Sequence, residues 1–159
     1  MSTVAERARI GIVRDEVFLD HEAPGYHPER PERLISTWRA LDASEVGQGV
    51  VTFPARAATA AELERVHDPK FVRRALEALA GGSGYLDPDT YFSPGSAAAA
   101  LGAAGGCIDA ASALRRGEID LAFGLHRPPG HHATRGTAMG FCIFNNVAVA
   151  AAALRAEGL

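Results

Sequence analysis

Two adjacent histidines, His131 and His132, stand in the segment Arg127-Pro-Pro-Gly-His-His-Ala133. Imidazole titrates near neutrality, which makes it the usual general acid or base. In an extended segment neighbouring side chains point to opposite sides. Either one imidazole faces a substrate while the other lies deeper, or a turn brings both to one cavity. Pro128 and Pro129 stiffen the approach, and Gly130 permits an unusual backbone angle just before the pair. Gly140-Phe-Cys-Ile-Phe-Asn-Asn-Val147 follows. Gly140 allows a backbone to approach a ligand closely, and Phe141 offers an apolar wall. A hydrogen-bonding imidazole pair beside a narrow apolar slot suits hydrolysis of a small neutral acyl group on a long side chain.

The elements that must position these residues read as an α/β fold with a parallel sheet flanked by helices. Residues 9–13 form a compact β-branched run and a first strand, and residues 50–53 form a second, ended by Pro54. Pro31 suits the first turn of a helix carrying Leu34, Ile35, Trp38 and Leu41 on one face. Thr59-Ala-Ala-Glu62 matches a capping box, and Asp68-Pro69 starts another helix that Gly81-Gly82 closes. Residues 81–92 read as loop. Ser93-Pro94 caps a long alanine-rich helix to about Arg116, where Gly102, Gly105 and Gly106 predict close packing. Residues 119–125 are apolar enough to predict a central, parallel strand. Asn145 or Asn146 caps a last helix, stopped by Gly158. In such sheets ligands gather at the carboxyl ends of strands, which places the His131-His132 loop in the active-site position.

The 159 residues fit one domain with a real core. Apolar content of 47% and charged content of 22% read as a soluble globular chain. A net charge of −3 gives no basic footprint for nucleic acid. No signal peptide, no uninterrupted apolar stretch near membrane-span length and only two cysteines, Cys107 and Cys142, predict a cytoplasmic protein without membrane contact.

The motif 127–133 followed by 140–148 resembles the signature of the histone deacetylase superfamily, which includes acetylpolyamine amidohydrolases and bacterial deacetylase-like proteins. His27-Pro-Glu-Arg-Pro-Glu-Arg-Leu34 resembles its first active-site loop in the class II and bacterial form. Val66-His-Asp-Pro-Lys-Phe-Val72 and Asp89-Thr-Tyr-Phe-Ser-Pro94 match further landmarks in order. The resemblance implies an arginase-like fold and zinc-dependent removal of acetyl groups from lysine or polyamine amines. It implies His131 and His132 as the catalytic pair, with Phe141 and Gly140 bordering the acyl tunnel. It also implies Asp89, or else Asp87, as a contact to the substrate backbone, and Arg33 as a buried arginine behind the site.

The resemblance implies later elements too: an Asp-x-His pair, a further Asp ligand and a tyrosine, which find no counterpart here. The chain therefore reads as the N-terminal half of such a domain, 1–159, stopping before the metal-ligand strand. Catalytic zinc normally takes three protein ligands and brings bound water to a pKa of about 7. General acid–base help contributes about 10²–10⁴-fold, against common enzymatic accelerations of roughly 10⁶-fold or more. The expectation is that this chain alone binds no metal and has no useful deacetylase activity, and that a C-terminal-half partner chain completes the site for an acetylated amine. The alternative is a non-catalytic remnant or interaction module on the same scaffold. A metal-free histidine-dyad hydrolase ranks last, lacking a nucleophile motif such as Gly-x-Ser-x-Gly.

His21, His27, His67 and His126 read as structural or solvated. Asp87 and Asp89 divide between turn chemistry and substrate contact. Cys142 reads as a buried, inert thiol beside the tunnel.

Overall fold

A computed structural model describes residues 8–158. Strand β1, Ile10–Val13, is the centre of a three-stranded parallel sheet, flanked by β2, Val51–Phe53, and β5, Leu121–Gly124. Gly11 pairs with Val51 on one side and Ala122 on the other. The parallel pairing of β5 matches its apolar, β-branched lead-in. Its expected central place does not hold: among the described residues it pairs only with β1, and Leu121 and Phe123 remain 56% and 65% exposed. Apolar content shows that a strand can be buried on both faces; which strands flank it is a long-range matter.

The described residues also form five α-helices: α1, Pro31–Asp42; α2, Ala60–Glu64; α3, Pro69–Ala80; α4, Ser96–Arg115; and α5, Asn146–Ala156. Their starts follow local chemistry. Pro31 and Pro69 occupy the first turns of α1 and α3, where a missing N–H costs nothing. At α2 the Thr59 hydroxyl accepts from Glu62 N while the Glu62 carboxylate accepts from Thr59 N, both halves of a capping box. The Asp68 carboxylate accepts from Lys70 N at 2.7 Å, and Asn145 Oδ1 accepts from Ala148 N at 3.1 Å.

Helix α4, the long alanine-rich helix expected from the sequence, is long and apolar enough by length and composition to cross a membrane, which corrects the expectation that no stretch comes near that length. Here most of it is buried, and it separates two cores. On one side Ala100, Ala104 and Ile108 meet Leu63, Phe71, Leu79, Phe144 and Val149. On the other Ala99, Ala103 and Ala110 meet Val13, Phe18, Leu34 and Trp38. Small residues on both flanks allow that double contact. The chain leaving β2 presses hardest: a methyl group at Gly105 would lie 1.8 Å from the Arg56 carbonyl oxygen.

Residues 81–92 are more ordered than the loop expected of them. Strands β3, Gly84–Asp87, and β4, Thr90–Phe92, form an antiparallel hairpin with a register shift between Tyr85 and Asp87. Strand β4 is too short to show a period, and burial of Thr90, Tyr91 and Phe92 anchors it.

Gly105→Ala tests the α4 packing. Helix propensity alone would stabilise the variant by about 1 kcal/mol. Overpacking into a backbone carbonyl costs about 1–3 kcal/mol or more, so urea unfolding should show net destabilisation. An unchanged or raised midpoint would refute the contact.

Candidate active site

The loop after β5 carries the histidine pair, and a buried ion pair fixes that loop. Arg127 is 1% exposed and Glu29, from the segment ahead of α1, is also 1% exposed. Arg127 donates from Nε and Nη2 to the Glu29 carboxylate, from Nη1 to the Phe18 carbonyl at 3.2 Å and from Nη2 to the Tyr91 hydroxyl at 2.8 Å. Tyr91 in turn donates toward Glu29 Oε2 at 2.8 Å. Burial pushes the Glu29 carboxyl up, but Arg127 and the Tyr91 hydroxyl outweigh it and leave it below the ordinary carboxylate range. Burial and the Glu29 charge push the Tyr91 hydroxyl up, so it stays protonated.

His21 completes this layer. Its ring stacks on Tyr91 at 4.5 Å, and Nδ1 lies 2.6 Å from Ser96 Oγ. Burial lowers its pKa to about 4, against the opposing pull of Glu29. His67 is held from both sides: Nδ1 donates to Thr134 O at 2.8 Å, and Nε2 accepts from Asn145 N at 3.0 Å. That fixes one neutral tautomer and ties together the two ends of the segment after the dyad. His126 contacts Pro128 O through Nδ1 at 3.2 Å and Cys107 Sγ through Nε2 at 3.4 Å.

Above the ion pair lies a cleft of about 670 Å³. His131, His132, Asp89, Gly140 and Phe141 all line it, with Arg33 and Asp87. The two imidazole centroids are 4.3 Å apart at an interplanar angle of 49°, so a turn does bring both toward one cavity. Both rings are exposed, and among the described residues neither imidazole has a hydrogen-bond partner. Gly130 owes its identity to crowding instead of an unusual angle, since its φ is not positive. A methyl group there would meet the Asn146 amide nitrogen at 2.6 Å.

The apolar wall is held in a strained conformation. Phe141 has φ 68°, the one non-glycine residue with positive φ among those described. Such a position costs on the order of 1–3 kcal/mol and persists where surroundings over-determine it. Here Phe141 N donates to Thr90 Oγ1 at 3.2 Å, Gly140 N donates to Asp89 Oδ1 at 3.2 Å, and the Phe141 ring meets His27 edge-on at 4.8 Å. Gly140 itself has φ 58°, and any side chain would strike the His132 ring at 2.8 Å. Asp89 therefore clasps the cleft rim, while Asp87 does turn chemistry, accepting from Asp89 N at 2.9 Å. That backbone bond, before other contacts, lowers the Asp87 pKa. Cys142 is fully buried; its Sγ accepts from His132 N at 3.4 Å and donates to Gly140 O at 3.3 Å. Burial pushes its thiol up, which keeps it protonated.

Arg33 corrects the sequence reading. It borders the cleft, but its side chain is 61% exposed and reaches Glu29 Oε1 only at 3.5 Å. The buried arginine behind the site is Arg127. Glu29, Tyr91 and Thr90 were missed as well. Glu29 and Arg127 are 98 positions apart, and the only available signal was that each is a charge inside a proline-rich motif. The zinc that the resemblance implies does not fit: among the described residues no group of three or more His, Cys, Asp or Glu could hold a metal ion.

An α/β scaffold with a cleft at the carboxyl end of its sheet is a common site architecture, and its likeness to solved structures narrows the class. The crystal structure of the HDA15 HD domain matches it with a TM-score of 0.88 at 38% identity, covering 96% of this chain and 45% of that one. The histone deacetylase domain family matches residues 27–159, and the chain belongs to that family. Histone deacetylase 5 of Arabidopsis thaliana is 35% identical over 94% of this chain and 24% of its own length. A probable deacetylase of Archaeoglobus fulgidus is 39% identical over 87% of this chain and 39% of its own. The human polyamine deacetylase HDAC10 is 39% identical over 78% of this chain and 19% of its own. The chain thus spans between about a fifth and two fifths of these relatives.

His21 gives the fold an acid limb. The unfolded chain takes up its proton near pH 6.5, the folded one only near 4. Stability should therefore fall as pH drops from about 6.5 to 4, by roughly 3 kcal/mol at most. The Glu29 contribution, present above the ordinary carboxylate range, is lost only at lower pH still, through its depressed folded value. Urea midpoints measured across that window should slope less in His21→Gln than in the parent chain, with His67 and His126 keeping the remainder because burial lowers their pKa values too. Equal slopes would remove His21 from the account.

Proposed function

We propose that this chain supplies one face of the catalytic cleft of a deacetylase that hydrolyses the amide of an acetylated amine, an acetyl-lysine or an acetylpolyamine. The observation that carries this reading is the convergence of His131, His132, Asp89, Gly140 and Phe141 on one cleft in a member of the histone deacetylase family. The strained Phe141 backbone and the Gly140 rim give the acyl-bearing stem an apolar wall. The imidazole pair handles two protons. One ring takes a proton as water adds to the acetyl carbonyl, and a ring returns one to the departing amine nitrogen. The C–N bond breaks, leaving acetate and free amine.

Zinc would supply the activation of that water, and its ligands would come from a second segment packed across the cleft, since the described residues do not fit it. The chain by itself is then without useful activity, because acid–base help of about 10²–10⁴-fold cannot make an amide hydrolase. The exposed imidazoles, unpartnered among the described residues, favour a cleft that another segment completes.

Co-expression with the remaining part of a homologous deacetylase domain tests this. Assays on an acetyl-lysine peptide and an acetylated polyamine should show chelator-sensitive hydrolysis that the chain alone lacks. His131→Ala or His132→Ala should lower it by about 10²–10⁴-fold. Activity indifferent to both substitutions would remove the pair from the chemistry. Stable co-purification with no hydrolysis would favour a non-catalytic interaction module. Stoichiometric zinc in the purified chain alone would show a ligand set that this reading lacks.

A further inference from the structure

Behind the dyad loop lies a second concavity of about 550 Å³, lined by Asp68, Lys70, Phe71, Arg73, Arg74 and Arg135, among others. Its charge is lopsided. Lys70, Arg73 and Arg74 come from the first half of α3, and Arg135 comes from the loop just beyond the histidines. All four side chains belong to exposed residues, and among the described residues none of the four has an ion pair or hydrogen bond. Several arginines elsewhere find carboxylates, as Arg9, Arg14, Arg56 and Arg115 do, and those without one, such as Arg39 and Arg155, are not gathered on one concave face. In a chain with 19 acidic residues and net charge −3, four cations against the single carboxylate of Asp68 on one concave face are conspicuous.

The placement also works against the helix. The first turn of α3 holds no acidic residue, and the Asp68 carboxylate is engaged as the cap of Lys70 N. Cations near a helix N-terminus are electrostatically unfavourable, whereas an anion there is stabilised. The backbone that carries Arg135 is fixed, because Asp68 N donates to Arg135 O at 2.8 Å and His67 holds Thr134 O. The four charges therefore converge on a pre-formed wall, not on a free loop.

We propose that this cleft binds a small phosphate-bearing molecule. Its volume lies in the range of small-ligand sites, roughly 300–1,000 Å³. Arginine forks match phosphate oxygens in bidentate fashion, and Phe71 gives the floor an apolar patch for the rest of the ligand. The site uses no acetyl chemistry, so it stands or falls apart from the deacetylase reading.

Inorganic pyrophosphate titrated into the 159-residue chain at physiological salt should bind saturably and shift the amide resonances of Lys70 and Gly136. Arg73→Gln with Arg135→Gln should weaken binding at least tenfold. Arg39→Gln with Arg155→Gln, an equal charge change at exposed positions elsewhere, should leave it within twofold. Equal weakening by both double variants would reduce the effect to general charge attraction and overturn the site. No binding at millimolar pyrophosphate, or shifts confined to other residues, would overturn it as well. A phosphoserine peptide binding more than tenfold tighter than pyrophosphate would overturn the small-molecule assignment.

Discussion

The buried Glu29–Arg127 pair is the constraint on which the cleft depends. Taking two ions out of water is expensive, and a buried pair repays that only when every remaining donor and acceptor is satisfied. Here each nitrogen and oxygen of the pair has a partner: the guanidinium donates to Glu29, the Phe18 carbonyl and the Tyr91 hydroxyl. Removal of one partner would strand a buried charge at about 3–5 kcal/mol. The cost of breaking the pair is thus no measure of its net stabilisation, which desolvation keeps small. The pair permits one placement of the loop after β5 against the segment ahead of α1 and against β4, three pieces distant in sequence. The histidines start four positions beyond Arg127, so the ion pair sets where they emerge.

What could be read from the sequence follows from the range of the interactions involved. Pro31, the Thr59–Glu62 box, Asp68-Pro69 and Asn145 announce helix starts because their chemistry is complete within four residues. The glycines of α4 announced close packing because helical residues without side chains imply a neighbour. The hairpin 84–92 escaped because a three-residue strand has no period and its anchors, Tyr91 and Phe92, are defined by what buries them. The central place expected of β5 failed for the same reason, since sheet order is a property of partners.

The site was legible in its front and not in its back. His131, His132, Asp89, Gly140 and Phe141 line one cleft as their motifs implied. Arg33 was expected as the buried arginine only because the resemblance implied one there, and nothing local to its motif tells that Arg127, from a second proline-rich motif, is the one that turns inward. Thr90 was invisible as a functional residue. It is fully buried in a hairpin read as loop, yet its hydroxyl accepts from the amide of the strained Phe141.

The segment from His131 to Phe141 joins two clefts of opposite character. At its far end, Asp87 and Asp89 sit at the mouth of the histidine cleft, and Asp89 holds the rim. Glu29 adds little to the field there, because Arg127 neutralises it below the floor. Exposed Arg33 is the sole basic side chain lining that mouth among the described residues. Near the start of the same segment, Arg135 belongs to the cluster of unpaired cations on α3. Exposed charges are screened within about 8 Å at physiological salt, so the two fields remain local and act on different ligands. By charge alone, the aspartates favour a cation at one cleft and the α3 cluster an anion at the other. His67 grips Thr134 O on one side and Asn145 N on the other, and Asp68 N holds Arg135 O, so the backbone just beyond the dyad is fixed at three points.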